Sequence, residues 1–194
     1  YDLIEIHAAH GYLLSAFLSP LANHRKDQYG GSLENRMRFP LEVFEAVRNA
    51  WPKEKPLGFR ISASDWDDGG WTLDDSILLA KELKQRGCDF VDCSSGGNTP
   101  NRPPVGPGFP GYQVPFSEGV RAGANIPTVA VGMLRDYQLA EEVVKKGQAD
   151  LIALGRGMLY DPRWAWHAAH ELGEEASYPN QYARSEPSKW SKAF

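Results

Sequence analysis

Five short apolar runs, "YDLIEIH", "PLGFRIS", "CDFVDCSS", "IPTVAVG" and "ADLIALG", recur along the chain, and a segment of helical periodicity follows each. No other feature restricts the fold so strongly. Near-continuous apolar strands are buried on both faces, and strands separated by helices run parallel, so the pattern predicts an α/β fold with a helix-covered parallel sheet. Two architectures share this pattern: a closed β/α barrel and an open doubly wound sheet. No GxGxxG follows the first run, which argues against a dinucleotide-binding unit of the second kind.

The helical segments carry their own start and stop signals. "SLENRMRFPLEVFEAVRNAW" offers Ser32 as N-cap and an apolar stripe through Phe39, Val43 and Val47. "TLDDSILLAKELKQRG" opens on Thr72, carries Asp75 three residues later and stops at Gly87. A long loop rich in Gly and Pro follows the third run, then a short helix at "SEGVRAGA". Further helices are expected at "RDYQLAEEVVKKG" and "PRWAWHAAHEL", with an extended tail from about residue 174.

Polar residues and glycines collect at the carboxyl ends of the strands: His7 and His10, Arg60, Ser94 and Ser95, Gly132, then Gly155 with Arg156. In a barrel these ends share one face, where active sites are built. Five strands cannot close an eight-stranded barrel, so the expectation is a partial (β/α)8 barrel whose first residues already lie within a fold.

With 194 residues, 42% of them hydrophobic, the chain can bury a substantial core. A net charge of -4, with Lys and Arg scattered among acids, gives no footprint for nucleic acid or an anionic membrane, so a small-molecule ligand is expected. Cys88 and Cys93 make neither a disulfide framework nor a zinc set, which fits a reducing compartment. No apolar run approaches membrane-spanning length, and a cytoplasmic protein is expected.

His7 and His10, with Tyr12 two residues on, allow three readings. A metal pair would need further ligands, for which His24 and Asp27 are near only in sequence; HExxH spacing is missing, so no metal is expected. Two neutral imidazoles could instead donate hydrogen bonds to one carbonyl oxygen, with the Tyr12 phenol as proton donor. The third reading is a solvated loop with incidental histidines.

Arg60, flanked by Phe59 and Ile61, points to the opposite face from both. A charge buried there needs an anionic ligand, or a structural partner such as Asp65 or Asp92. Gly132, Gly155 and Arg156, on the last two strand ends, suit a phosphate. Trp51, Trp66, Trp71, Trp164 and Trp166 read as packing anchors, the cysteines as small core residues, and "EEVVKK" as a helix face with charge pairs.

At this level of detail the chain resembles the flavin-dependent ene-reductases of the Old Yellow Enzyme family, in the branch of bacterial NADPH dehydrogenases. The resemblance rests on "HAAHGYLLSAFLSPLANHRKDQYGGSLENRMRF", "RISASDW", "VDCSSGG", "FPGYQV", "AVGM", "LIALGRGML" and the "DP" at Asp161 and Pro162. It implies an eight-stranded barrel binding FMN at its carboxyl end, oxidising NADPH or NADH and reducing the C=C bond of an enone. Matched by position, His7 and His10 would hold the substrate carbonyl and Tyr12 would protonate the neighbouring carbon. Arg60 would face the flavin pyrimidine edge, and Gly132, Gly155 and Arg156 would hold the FMN phosphate.

The resemblance also makes the five strands the family's strands 4 to 8. Residues 1–194 are then the carboxyl-terminal part of one FMN-binding domain, either a fragment of a longer product or a half-barrel completed by another chain. A noncatalytic half-barrel is the alternative function, and a metal-dependent barrel hydrolase a third. No cysteine cluster of the iron–sulfur relatives is present. "QYARSEPSKW" resembles a tail that reaches a neighbouring subunit's site, which makes Arg184 a candidate there and a homo-oligomer a candidate state.

Overall fold

The computed structural model describes residues 1–100 and 109–189. Five strands, β1 (Ile4–Ala8), β2 (Leu57–Ser62), β3 (Phe90–Ser94), β4 (Thr128–Val131) and β5 (Leu151–Ala153), form one parallel sheet in the order β1-β2-β3-β4-β5. Strict sequential order is the order of a barrel wall. A doubly wound sheet would reverse direction at a switch point.

Among the described residues seven α-helices accompany the strands: α1 (Leu13–Leu18), α2 (Leu33–Ala50), α3 (Leu73–Gln85), α4 (Val114–Ala124), α5 (Tyr137–Lys145), α6 (Arg156–Tyr160) and α7 (Trp164–Glu171). The start signals work as read. Ser32 accepts from the Asn35 N–H, and Thr72 with Asp75 forms a full capping box. Glu141–Lys145 and Glu142–Lys146 are ion-paired on α5.

Several expectations need correction. In α2 the predicted stripe of Phe39, Val43 and Val47 does pack against the core, but only half-buried, and the fully buried face runs beside it through Met37, Pro40, Leu41 and Phe44. Helices α1 and α6, six and five residues long, gave no periodic signal. The tail, predicted extended, turns into 3-10 helix at Asn180–Ser185 and Pro187–Lys189. The Gly- and Pro-rich loop predicted after β3 falls largely outside the described residues.

The apolar core lies between the sheet and its helices. Phe59, Ile61, Val91 and Cys93 face Phe44, Leu79, Leu83 and Val120, and Ala130 meets Val143 in a smaller cluster farther along. Both cysteines are buried thiols, and burial pushes Cys88 up to about 12. The opposite sheet face carries Glu5 and His7 on β1, Arg60 and Ser62 on β2, and Asp92 and Ser94 on β3. Its floor is closed by the Phe90 ring over Gly58, where any Cβ would collide with that ring.

Candidate functional site

Period-two alternation sends one face of β1, β2 and β3 into the helical core and leaves the other to carry polar groups. Register then decides which of them meet. His7 lies beside Arg60, Arg60 beside Asp92, and Ser62 beside Ser94.

Arg60 pairs with Asp92, Nε to Oδ2, at 3.6 Å, and this resolves the structural alternatives. Asp65 is committed elsewhere, accepting from the Ser19 hydroxyl, the Trp71 N–H and the Asn98 amide. The Arg60–Asp92 contact is too long to be a good hydrogen bond. Arg60 Nε and Asp92 Oδ1 are both buried without a hydrogen-bond partner among the described residues. Burial raises the Asp92 carboxyl to about 7, with Arg60 opposing; Glu5 is raised by burial in the same way.

His7 ends on the exposed side of β1, and the chain then turns through His10 with a φ of +61°. A non-glycine residue rarely holds this left-handed conformation unless its surroundings enforce it. Here the Ser62 hydroxyl accepts from the His10 N–H at 2.9 Å, and Ser94 Oγ lies 2.6 Å from His10 Nε2. The loop after β3 presses from behind: a Cβ on Gly97 would come within 2.3 Å of His10 Cα, and one on Gly11 within 2.2 Å of the Gly97 carbonyl oxygen. Only glycines permit that approach.

The ring centres of His7 and His10 are 5.2 Å apart, and His7 lies 5.5 Å from the Tyr12 ring. Tyr12, 66% exposed, is the residue from which α1 starts. Burial and the Arg60 charge lower the pKa of both imidazoles, which favours their neutral forms. Among the described residues no three His, Cys, Asp or Glu side chains are grouped to hold a metal ion. Asp27, once a possible ligand, is engaged by Arg25 at 3.0 Å.

A cleft of about 670 Å³ runs from Arg60 and Ser94 to Gly132, Gly155, Arg156 and Tyr160. Thus all four predicted residues from Arg60 to the last strand ends share one cavity, and Ser94 connects it to His10. Gly132 has a φ of +122°, and Gln113 packs against it while donating to the Val131 carbonyl at 2.8 Å. Around Gly155 there is open space. Arg184 stands exposed on the first 3-10 turn.

The sequence undervalued Ser62, Ser94, Gly97 and Gln113. A serine pair at two strand ends and a doubled glycine after β3 were visible signals, but their partners sit far away in the chain.

A model of the NADH:flavin oxidoreductase / NADH oxidase family matches residues 1–175. The chain belongs to that family. An NADPH dehydrogenase of Geobacillus thermodenitrificans (strain NG80-2) is 52% identical over 184 residues, 95% of this chain and 53% of that protein. One of Bacillus subtilis (strain 168) is 50% identical over the same shares. The chain therefore spans about half the length of the curated relatives it matches.

Among solved structures, morphinone reductase superposes with a TM-score of 0.70 at 30% identity, covering 93% of this chain and 46% of that one. A 2-naphthoyl-CoA reductase complex gives 0.79 at 27% identity, over 90% and 26%. These relationships bear out the resemblance to the Old Yellow Enzyme family and its barrel fold. Within this family member no helix among the described residues is long and apolar enough to cross a membrane.

Proposed function

We propose that the whole protein is an FMN-dependent oxidoreductase that takes hydride from NADPH or NADH and reduces the C=C bond of α,β-unsaturated carbonyl compounds. The observation carrying this reading is the pair of imidazoles, 5.2 Å apart, with a phenol beside them and a link through Ser94 to the cleft; burial favours their neutral forms. Neutral imidazoles can donate to a carbonyl oxygen without adding a full charge.

The residues fit FMN. Arg60, ion-paired with Asp92 but with no hydrogen bond to its buried Nε, stands at one end of the cleft, and Gly155 leaves room for a bulky anion beside Arg156 at the other. When bound, FMN supplies a carrier that accepts hydride from a nicotinamide and passes it to an alkene carbon. His7 and His10 hold the substrate carbonyl oxygen and stabilise negative charge developing on it. Tyr12 gives its phenolic proton to the carbon next to that carbonyl. Arg60 would balance negative charge on the bound flavin, while Gly132, Gly155 and Arg156 would hold its phosphate.

A second reading is a noncatalytic half-barrel that binds flavin only with a partner. It is favoured by Leu151, 56% exposed on β5, which is the last strand of the sheet among the described residues. Under either reading residues 1–194 are the carboxyl-terminal part of one barrel domain, completed by N-terminal strands or by another chain.

The visible spectrum of the purified protein with added FMN tests the proposal. Flavin bands that NADPH bleaches and an enone restores are expected; a protein that takes up no FMN sinks the catalytic reading for this chain. In an active protein, Tyr12→Phe slows alkene reduction by about a hundredfold or more and spares flavin reduction by NADPH. Equal slowing of both half-reactions would remove Tyr12 from its role.

A further inference from the structure

The ends of β2 and β3 carry two serines in register, Ser62 and Ser94, and the chain lays His10 across them. Each serine takes a different part of that residue. The Ser62 hydroxyl accepts from the His10 N–H and donates onward to the Gly96 carbonyl oxygen at 2.7 Å, so the backbone is fixed. Ser94 Oγ meets Nε2 of the ring at 2.6 Å.

The direction of that second bond decides what His10 can do. Ser94 is only 4% exposed, and Nε2 is the only hydrogen-bond partner of its hydroxyl among the described residues. A buried hydroxyl places its proton where an acceptor exists, because an unsatisfied donor costs free energy. Here that acceptor is Nε2. The imidazole then carries its own proton on Nδ1, and burial, with the nearby Arg60 charge, opposes a second proton. Nδ1 has no partner among the described residues and is not among the buried unpartnered atoms, so it stays accessible.

We infer that Ser94 is a positioning residue that locks His10 in its Nδ1–H tautomer, so that the open nitrogen is a hydrogen-bond donor to a ligand oxygen. The opposite tautomer would present a bare lone pair there and repel a carbonyl or phenolate. The inference deepens the proposed role of His10 and rests on that reading for its use, though the tautomer itself is a property of the chain without any cofactor.

Long-range proton–nitrogen correlation spectra of the imidazoles, on the full 194-residue chain with nitrogen-15-labelled histidine, test it. The His10 signals are assigned by their loss in His10→Gln. Near pH 7.5 the wild type is expected to show His10 predominantly protonated on Nδ1, against the usual preference of free histidine for Nε2–H. Ser94→Ala should lower the Nδ1–H to Nε2–H ratio by about fivefold or more, the weight of one hydrogen bond, and Ser94→Thr should restore it. A wild-type His10 protonated on Nε2 overturns the inference without any variant. So does a folded Ser94→Ala protein with an unchanged tautomer. Locked Nδ1–H in a protein that never binds FMN would leave the inference standing and remove the reductase reading; Nε2–H in a flavin-binding protein would do the reverse.

Discussion

Around β1–β3 the site is tied together by side chains, whereas around β4–β5 it is presented by backbone. On the first side, Asp65, 0% exposed, joins the segments after all three strands by accepting from Ser19, Trp71 and Asn98, and Asn98 also donates to Ser15. On the second side, β5 has three residues, α6 buries none of its own, and the cleft is shaped by Gly132 and Gly155. The difference teaches that the histidine pair is organised by the chain itself. The end proposed to hold the phosphate offers shape and charge with little internal support.

The largest expected break in this contrast is Asp65→Ala. It removes the acceptor of two buried donors and of the half-buried Asn98 amide, and should cost about 3 kcal/mol or more. Urea unfolding measures the loss, and hydrogen exchange should quicken at residues 10–20 and 96–98 more than at 128–153. Equal quickening everywhere would erase the proposed division.

Next in size is Arg156→Ala at the other end. Losing a charge-assisted pair should weaken FMN by about tenfold to a hundredfold, read by flavin fluorescence quenching, with riboflavin affinity unchanged. Its urea midpoint should barely move, since α6 contributes no buried residue. A large stability loss would mean that this end is more tightly built than its contacts indicate.

The pH dependence sharpens the comparison further. Asp92 is raised to about 7 from an ordinary 3.8, so its stabilising contribution is full below about 3.8 and lost as pH climbs through 7. His7 and His10 act in the opposite sense: lowered, they contribute stability present above the ordinary 6.5 and lost as pH falls below it. Asp92→Asn should therefore gain on the wild type steadily from pH 4 to pH 7 and no further above pH 8, in melting temperatures taken across that range. A difference independent of pH would contradict a protonated Asp92.

Least is expected from the surface. Lys146→Ala removes an exposed pair on α5 and should change stability by about 0.5 kcal/mol or less. A larger effect would mean that α5 packs against something beyond its visible neighbours.

Much of this architecture was legible beforehand, and the exceptions have physical causes. All five strands and the caps at Ser32 and Thr72 follow from apolar runs and local hydrogen bonding, which act within a few residues. Helices α1 and α6 escaped because one or two turns cannot display a 3.6-residue period. The fully buried face of α2 was misplaced because apolar residues lie on both sides of it, and only contact with the sheet selects one. His7, His10, Arg60, Gly132, Gly155 and Arg156 were visible as polar or glycine positions at strand ends. Ser94 was visible too, but not as the partner of His10, 84 residues away.

By itself the sequence determined the strand–helix alternation, the facing of Arg60 opposite Phe59 and Ile61, and the chemistry available at the strand ends. Periodicity and residue type are local properties, so a linear reading captures them. Only the tertiary structure decided that Arg60 meets Asp92 and not Asp65, and that Ser62 and Ser94 share a rung beneath His10. Those choices depend on the pairing register, where a shift of one residue would turn every polar group on a strand to the other face.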